Sequence, residues 1–259
     1  MYMYKIENEL YNQLCRLRDQ YDLQGIKAEF EAEGSAFRDL IRLRRLTLKA
    51  NVKLFLKIGG VEANRDIKDA LEIGVDGIIA PMVESKFGAT KFFESLDQFY
   101  GEFKPHTTLN LETRTAIENI DDILTFAKGR FDNITVGRSD LSASYFDDSI
   151  TPDSGFIFDV LKQIALKVSG SGLTFTVGGS VSNKTIQNIN IHYKELKEQI
   201  YKLETRKVIL PTRIFLDSID AIRESLKFEE LYILSKKEFN DLQIDSEIKR
   251  LPELKRRMQ

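Results

Sequence analysis

Two carboxylates stand where a parallel α/β chain brings distant residues together. Glu112 closes the alternating run TTLNLE at 107–112, and Asp140 lies just beyond a short apolar run that ends at Gly137. A helical run separates the two. In parallel α/β proteins the C-terminal ends of the strands share one face, and ligands bind on that face. Glu112 and Asp140 are therefore expected to converge despite the 28 positions between them. Two carboxylates at the mouth of a barrel suit a hard divalent cation such as Mg²⁺.

A second set of charged residues follows from strand parity. Successive side chains of a strand point to opposite faces, and the outward face of a barrel strand packs under helices and is apolar. In GIKAEFE at 25–31, Ile26, Ala28 and Phe30 take one face, and Lys27, Glu29 and Glu31 take the other. The same parity turns Lys57 inward near the end of KLFLKI. It turns Thr108, Asn110 and Glu112 inward in the 107–112 strand, and Thr174 and Thr176 in LTFTVG at 173–178. Buried charges are costly unless they are paired or metal-bound. So many of them near strand ends, Glu29, Glu31 and Lys57 among them, need a use. The alternative is a structural network in which Lys27 and Lys57 simply neutralise Glu29 and Glu31.

The elements that must position these residues alternate along the chain. Helical spacing marks 5–20, where Ile6, Leu10, Leu14 and Leu17 recur on one face. Further helices are expected at 35–50, 64–73, 85–100, 115–128, 154–168, 183–204 and 217–227. Strands are expected at 25–31, 53–58, 75–83, 107–112, 133–137, 173–178 and 207–210, with EELYIL at 229–234 as the eighth. The run VDGIIAPMV at 75–83 is nearly all apolar, as strands buried on both faces are. Eight strands alternating with helices predict an α/β fold, a (β/α)₈ TIM barrel with an N-terminal helix and an extra C-terminal helix. A doubly wound sheet is the alternative. Neither a linker nor a repeat divides the 259 residues, so a single domain over 1–259 is expected.

Composition narrows the function classes. Lys and Arg total 38 against 40 Asp and Glu, so no global charge favours nucleic acid or an anionic membrane. The single cysteine, Cys15, excludes an intrachain disulfide. No apolar run approaches the ~20 residues of a membrane span. The opening MYMYKIENELYNQL has neither the apolar core nor the cleavage site of a signal peptide. A cytoplasmic protein without membrane or nucleic-acid partners is expected.

Three segments carry a resemblance. KIGGVEANRDIKDALEIGVDGIIAPMVES, NLETRTAIENIDDI and TVGRSDLSAS, taken in this order across about residues 25 to 145, resemble the 4-hydroxy-2-oxo-acid aldolase and citrate lyase β-subunit family (HpcH/HpaI aldolase-like). That family belongs to the phosphoenolpyruvate/pyruvate barrel superfamily. The resemblance implies a divalent cation, Mg²⁺ or Mn²⁺, held by Glu112 and Asp140. It implies a pyruvate-like oxo acid on that cation, with Asn110 beside the substrate. Backbone N–H groups across Gly137, Arg138, Ser139 and Asp140 would receive the oxo acid's carboxylate. The chemistry implied is carbon–carbon cleavage through an enolate stabilised by a Lewis acid.

The departures from that family are equally specific. Its aldolases carry an arginine at the end of the second strand, where this chain has Lys57, which keeps the charge and loses the two-pronged geometry. They also carry a catalytic histidine after an acidic pair at the end of strand one. In AEFEAEG the acidic positions are Glu29 and Glu31, and Ala32 stands at the place of the histidine. His106 falls at the opposite end of the barrel and His192 in a long helix. Glu29, Glu31 or Glu33 is left to transfer protons, if burial raises its pKa. A Schiff base at Lys57 or Lys27 is disfavoured because neighbouring carboxylates keep both lysines protonated.

Two further stretches bear on ligands. VGGSVSN at 177–183 joins a strand to a helix, with Ser180 and Ser182 as hydroxyl donors and Asn183 as a cap, so it is a candidate for a phosphate or second carboxylate. An ordinary capped turn is the other reading. LETRK at 203–207 puts Arg206 and Lys207 at the start of a strand, the end away from catalysis. The expected function is a divalent-metal-dependent carbon–carbon lyase acting on a 2-oxo acid or acyl substrate. The alternatives are a non-catalytic barrel that keeps metal and oxo-acid binding, and an enzyme of phosphoenolpyruvate-type chemistry that uses Ser180. The 183–204 helix and the charged C-terminal helix are expected to pack on another subunit of a homo-oligomer.

Overall fold

A computed structural model describes residues 4–259. Met1, Tyr2 and Met3, part of the N-terminal stretch inspected for a signal peptide, lie outside the described residues. Among the described residues the order is α1 (Lys5–Tyr21), β1 (Gly25–Glu29), α2 (Phe37–Lys49), β2 (Leu54–Lys57), α3 (Asn64–Ile73), β3 (Gly77–Ala80), α4 (Lys86–Tyr100) and β4 (His106–Leu111). Then come α5 (Arg114–Glu118), α6 (Ile120–Ala127), β5 (Asn133–Gly137), α7 (Arg138–Ala143), α8 (Gly155–Val168), β6 (Thr174–Gly178), α9 (Asn183–Ile191) and α10 (Leu196–Gln199). The chain ends with β7 (Lys202–Glu204), β8 (Val208–Pro211), α11 (Thr212–Asp217), α12 (Ala221–Ile248) and α13 (Leu251–Arg257). The eight strands close into a TIM-type barrel in sequence order, with α1 before it and α12 and α13 after it.

Strand parity builds two separate apolar layers. Ile26 and Ala28 of β1, Leu54 and Leu56 of β2, Ile78 and Ala80 of β3, and Leu109 and Leu111 of β4 all join the large core between barrel and helices. The opposite parity faces the barrel axis, where Phe55, Ile79 and Ile209 form a small plug of their own. Polar inward positions lie above and around that plug. Lys27, Glu29, Lys57, Thr108, Asn110 and Thr176 are all buried.

The last strands depart from the expected pattern. The 183–204 stretch is not one helix. It breaks after α9 and α10, and its final residues form β7. EELYIL at 229–234 is not a strand but part of α12, whose buried positions Phe228, Leu231, Tyr232 and Ser235 keep helical spacing. The true β8 is reversed. It runs antiparallel to β7, with Leu203 opposite Leu210, and antiparallel to β1, with Gly25 opposite Ile209. Connection length gives the reason. Parallel neighbours need a crossover of about a dozen residues or more, and a hairpin needs only a few. Three residues, Thr205, Arg206 and Lys207, join β7 to β8. Thr205 closes the turn, its N–H donating to the Val208 carbonyl at 3.0 Å and its hydroxyl accepting from the Val208 N–H at 3.2 Å. Reversal places the start of β8 on the same face as the C-terminal ends of the other strands. The 205–207 turn therefore sits at the mouth of the barrel and not at its far end.

The expected 115–128 helix also divides, at Asn119, into α5 and α6. The first part of α12 packs on α1, where the Gln13 amide donates to both the carbonyl and the carboxylate of Glu224, at 2.9 and 3.0 Å. Among the described residues no helix is long and apolar enough to cross a membrane.

Candidate active site

The C-terminal ends of the strands surround a cavity of about 440 Å³. Glu29 is the last residue of β1, and Glu31 lies two beyond it. Lys57 ends β2, Glu112 follows β4, Gly137 ends β5, and Asp140 lies in the first turn of α7. All six line the cavity, together with Ser139 and Ser180.

Glu112 is held from several sides. Lys57 Nζ lies 3.0 Å from its Oε1, and the Asn110 amide donates to the same oxygen at 3.0 Å. The Met82 N–H donates to Oε2 at 3.2 Å. Met82 adopts a φ of 50°, a left-handed conformation that costs free energy for a residue with a side chain. Gly137 supplies the space, since a Cβ there would fall 2.6 Å from Glu112 Oε1 and 2.9 Å from its Cγ. Gly178 plays the same part on the next strand, where a Cβ would fall 2.7 Å from Oε1 of Glu204.

The two inward lysines are committed to carboxylates. Lys57 Nζ lies 2.8 Å from Glu31 as well as 3.0 Å from Glu112. Lys27 Nζ lies 2.7 Å from Glu204 and 3.6 Å from Glu29. Burial by itself would lower both ammonium pKa values. The carboxylates outweigh it, Glu112 foremost at Lys57 and Glu204 at Lys27, so both are raised and both lysines stay charged. Neither is a free amine for a Schiff base. The structural network weighed as an alternative is thus present. It does not balance the site, however, because the cavity presents six carboxylates (Glu29, Glu31, Glu112, Asp140, Glu204 and Glu229) against Lys27, Lys57 and Arg206.

Asp140 bears that excess. Its side chain has no hydrogen-bond or ion-pair partner among the described residues. Burial, then the Glu112 charge, hold its carboxyl above the usual range, with Lys57 opposing. A partnerless carboxylate beside one fixed on its inner side is an arrangement that a divalent cation would complete. Among the described residues no three His, Cys, Asp or Glu side chains gather into a metal-ligand cluster. A cation here would rest on Glu112 and Asp140 alone. That is within the habit of Mg²⁺, which takes one or two carboxylates and fills its other positions with water and ligand oxygens.

The remaining expected site residues divide. Ser139 and Ser180 meet across the cavity wall, their hydroxyls 2.8 Å apart. Asn110 is buried beneath Glu112 and is not on the cavity surface, and its Oδ1 has no hydrogen-bond partner. The Arg138 side chain is fully buried and points away from the cavity. It donates to the carbonyls of Gly178, Gly179 and Pro152 at 3.2, 2.8 and 3.0 Å, and pairs with Asp153 at 2.7 Å. Arg138 therefore fastens the 177–183 stretch to the loop between α7 and α8. The cap of α9 is Ser182, not Asn183, and it exchanges hydrogen bonds with Thr185. The cap hydroxyl is thus already engaged and not open to a phosphate.

His106 begins β4 at the far end of the barrel, edge-on to Phe55 at 5.5 Å, and His192 caps the C-terminus of α9. Ala32, the residue that the sequence resemblance sets at the place of a histidine, lines the cavity. Glu204, Thr205, Arg206 and Glu229 also line it and were not anticipated as site residues. A glycine on the neighbouring strand, Gly178, which leaves room for the glutamate, was the one signal available for Glu204.

Comparison with known proteins agrees with the barrel fold. The sequence model described as HpcH/HpaI aldolase/citrate lyase matches residues 37–172. No curated protein sequence matches the chain. An HpcH/HpaI aldolase from Desulfitobacterium hafniense DCB-2 superposes with a TM-score of 0.60 at 17% identity, over 75% of this chain and 82% of that one. An HpcH/HpaI aldolase/citrate lyase family protein from Burkholderia cenocepacia J2315 gives 0.61 at 13% identity, over 85% and 89%. The citrate synthase SbnG gives 0.61 at 17% identity, over 91% and 90%. At these identities the likeness is one of fold.

Proposed function

Because the chain belongs to the HpcH/HpaI aldolase/citrate lyase family, a lyase-type assignment, we propose that it is a divalent-metal-dependent carbon–carbon lyase acting on a 2-oxo acid or a related acyl substrate. The observation that carries this reading is Asp140, partnerless beside a Glu112 whose inner side is already fixed by Lys57 and Asn110. Glu112 and Asp140 would hold the cation, which would supply Lewis-acid polarisation of the 2-oxo group.

The chain's own residues do the rest. Lys57, Asn110 and the Met82 N–H hold Glu112 in one orientation, so no reorganisation is needed when charge develops. The Ser139–Ser180 pair spends one O–H on itself and leaves a single hydroxyl donor for the substrate's carboxylate. Glu29, at the end of β1, is the first candidate to hold and return the proton, with Glu31 the second. Lys27 beside Glu29 and Lys57 beside Glu31 keep both carboxylates oriented toward the cavity.

A second reading rests on Ala32. With an alanine at the place of the histidine, this reading is a barrel that binds metal and oxo acid without turnover. Oxaloacetate separates the two readings, because an active site that forms an enolate should also release CO₂ from it. The lyase reading expects Mg²⁺- or Mn²⁺-dependent decarboxylation at least about a hundredfold above the same metal in buffer, the scale that a positioned acid or base contributes. Saturable oxalate binding with decarboxylation no faster than buffer would favour the binding protein.

A further inference from the structure

The reversed β8 gives the mouth of the barrel a cation that a parallel eighth strand would leave at the far end. We propose that Arg206, in the turn between β7 and β8, is a specificity-determining residue that receives a second, non-reacting carboxylate of the substrate. The preferred ligand is then a dicarboxylic 2-oxo acid. This rests on reading the cavity as a 2-oxo-acid site.

The three cations on the cavity differ in how far they are committed. Lys27 and Lys57 each bridge two carboxylates and are almost wholly buried. Arg206 has one ion pair, from Nε to Glu33 Oε1 at 3.3 Å, and its side chain is 49% exposed. Glu33 is already neutralised from within by Lys207, whose ammonium pairs with Oε2 and is buried. Glu229 shares the cavity rim and forms no ion pair with Arg206. Arg206 lines the cavity, and its guanidinium makes no hydrogen bond to a described residue, so no protein partner holds its terminal nitrogens.

The chemistry of that position favours a carboxylate. A guanidinium presents a planar fork that matches a carboxylate with two parallel hydrogen bonds. A phosphate is better served by several converging donors, and those nearby are engaged. Ser180 is paired with Ser139, and Ser182 with Thr185. Val181 and Leu226 line the same cavity and offer apolar surface to a short methylene chain. The catalytic end of the ligand belongs with Glu112 and Asp140, and its far carboxylate with Arg206.

Calorimetric titration in Mg²⁺ with pyruvate, 2-oxoglutarate and 2-oxoadipate tests this. The wild-type protein should bind at least one dicarboxylate about tenfold or more tightly than pyruvate, the scale of a charge-assisted pair. R206Q should abolish that advantage and leave the pyruvate affinity unchanged. R206K keeps the charge and loses the fork, so it should retain part of the advantage; it also carries the comparison should R206Q not fold. Equal wild-type affinities, or an unchanged ratio in R206Q, overturn the proposal alone. Absence of wild-type binding for all three acids overturns the oxo-acid reading, and the proposal with it.

Discussion

Asp140→Asn should lower metal-dependent turnover by at least about a thousandfold and, in the same protein, raise the thermal stability of the metal-free form. The first effect follows from the loss of one of only two carboxylates available to the cation. Lewis-acid stabilisation is worth several kcal/mol, and each 1.36 kcal/mol is about tenfold in rate. The second follows from the sign of the Asp140 shift. Its carboxyl is raised in the folded protein by burial and by Glu112. A carboxyl raised above its unfolded value destabilises the fold as pH rises from that value through the folded one, and the whole cost is present above both. Asparagine removes it at neutral pH. Scanning calorimetry with and without Mg²⁺ reads both effects. The wild-type Tm should rise with Mg²⁺ by mass action, and the variant should start higher and gain nothing. A variant that starts lower and still responds to Mg²⁺ would show that Asp140 is neither strained nor a ligand.

Glu29→Gln should reduce turnover by at least about a hundredfold with the Mg²⁺ response of Tm intact, since a general base contributes about 10²–10⁴. Glu29 is at the end of β1, on the cavity, 3.6 Å from Lys27, and that lysine is held more closely by Glu204 at 2.7 Å. Glu29 is therefore the less tightly engaged partner of its lysine. Glu31 lies 2.8 Å from Lys57, and a proton placed on it would weaken that pair. Glu31→Gln should accordingly cost less in turnover than Glu29→Gln. If both variants keep full turnover on a substrate the wild type converts, a strand-one carboxylate is not the base.

Much of this site is legible from alternation alone. The period-two pattern in GIKAEFE and TTLNLE turns Lys27, Glu29, Asn110 and Glu112 inward, and the strands through β6 fall where apolar alternation and glycine punctuation put them. That signal weakens where an element is too short to show a period. KLE of β7 is three residues long and follows polar helical sequence, so it reads as the tail of a helix. EELYIL has the composition of a strand, but only Leu231 and Tyr232 of its apolar residues are buried, on the same helical face as Phe228. Missing β7 hid the hairpin, and with it the reversal that carries Arg206 to the mouth. The start of a parallel eighth strand would lie at the far end of the barrel, and the three-residue connection between β7 and β8 excludes a parallel strand. Arg138 shows another limit. The sequence places it in a ligand loop, but only the packing shows that its guanidinium is spent on the carbonyls of Gly178, Gly179 and Pro152.

Hydrogen–deuterium exchange at the methyl group of pyruvate, followed by proton NMR in D₂O with Mg²⁺ or Mn²⁺, measures enolate formation directly and needs no knowledge of the second substrate. The wild-type protein should exchange those protons well above the rate of the same metal in buffer. The exchange should require the metal, fall to background in Asp140→Asn, and fall by about a hundredfold in Glu29→Gln. Wild-type exchange no faster than buffer with either metal, at pyruvate concentrations that saturate binding, would contradict enolate chemistry at Glu112 and Asp140 and leave a barrel that binds without catalysing.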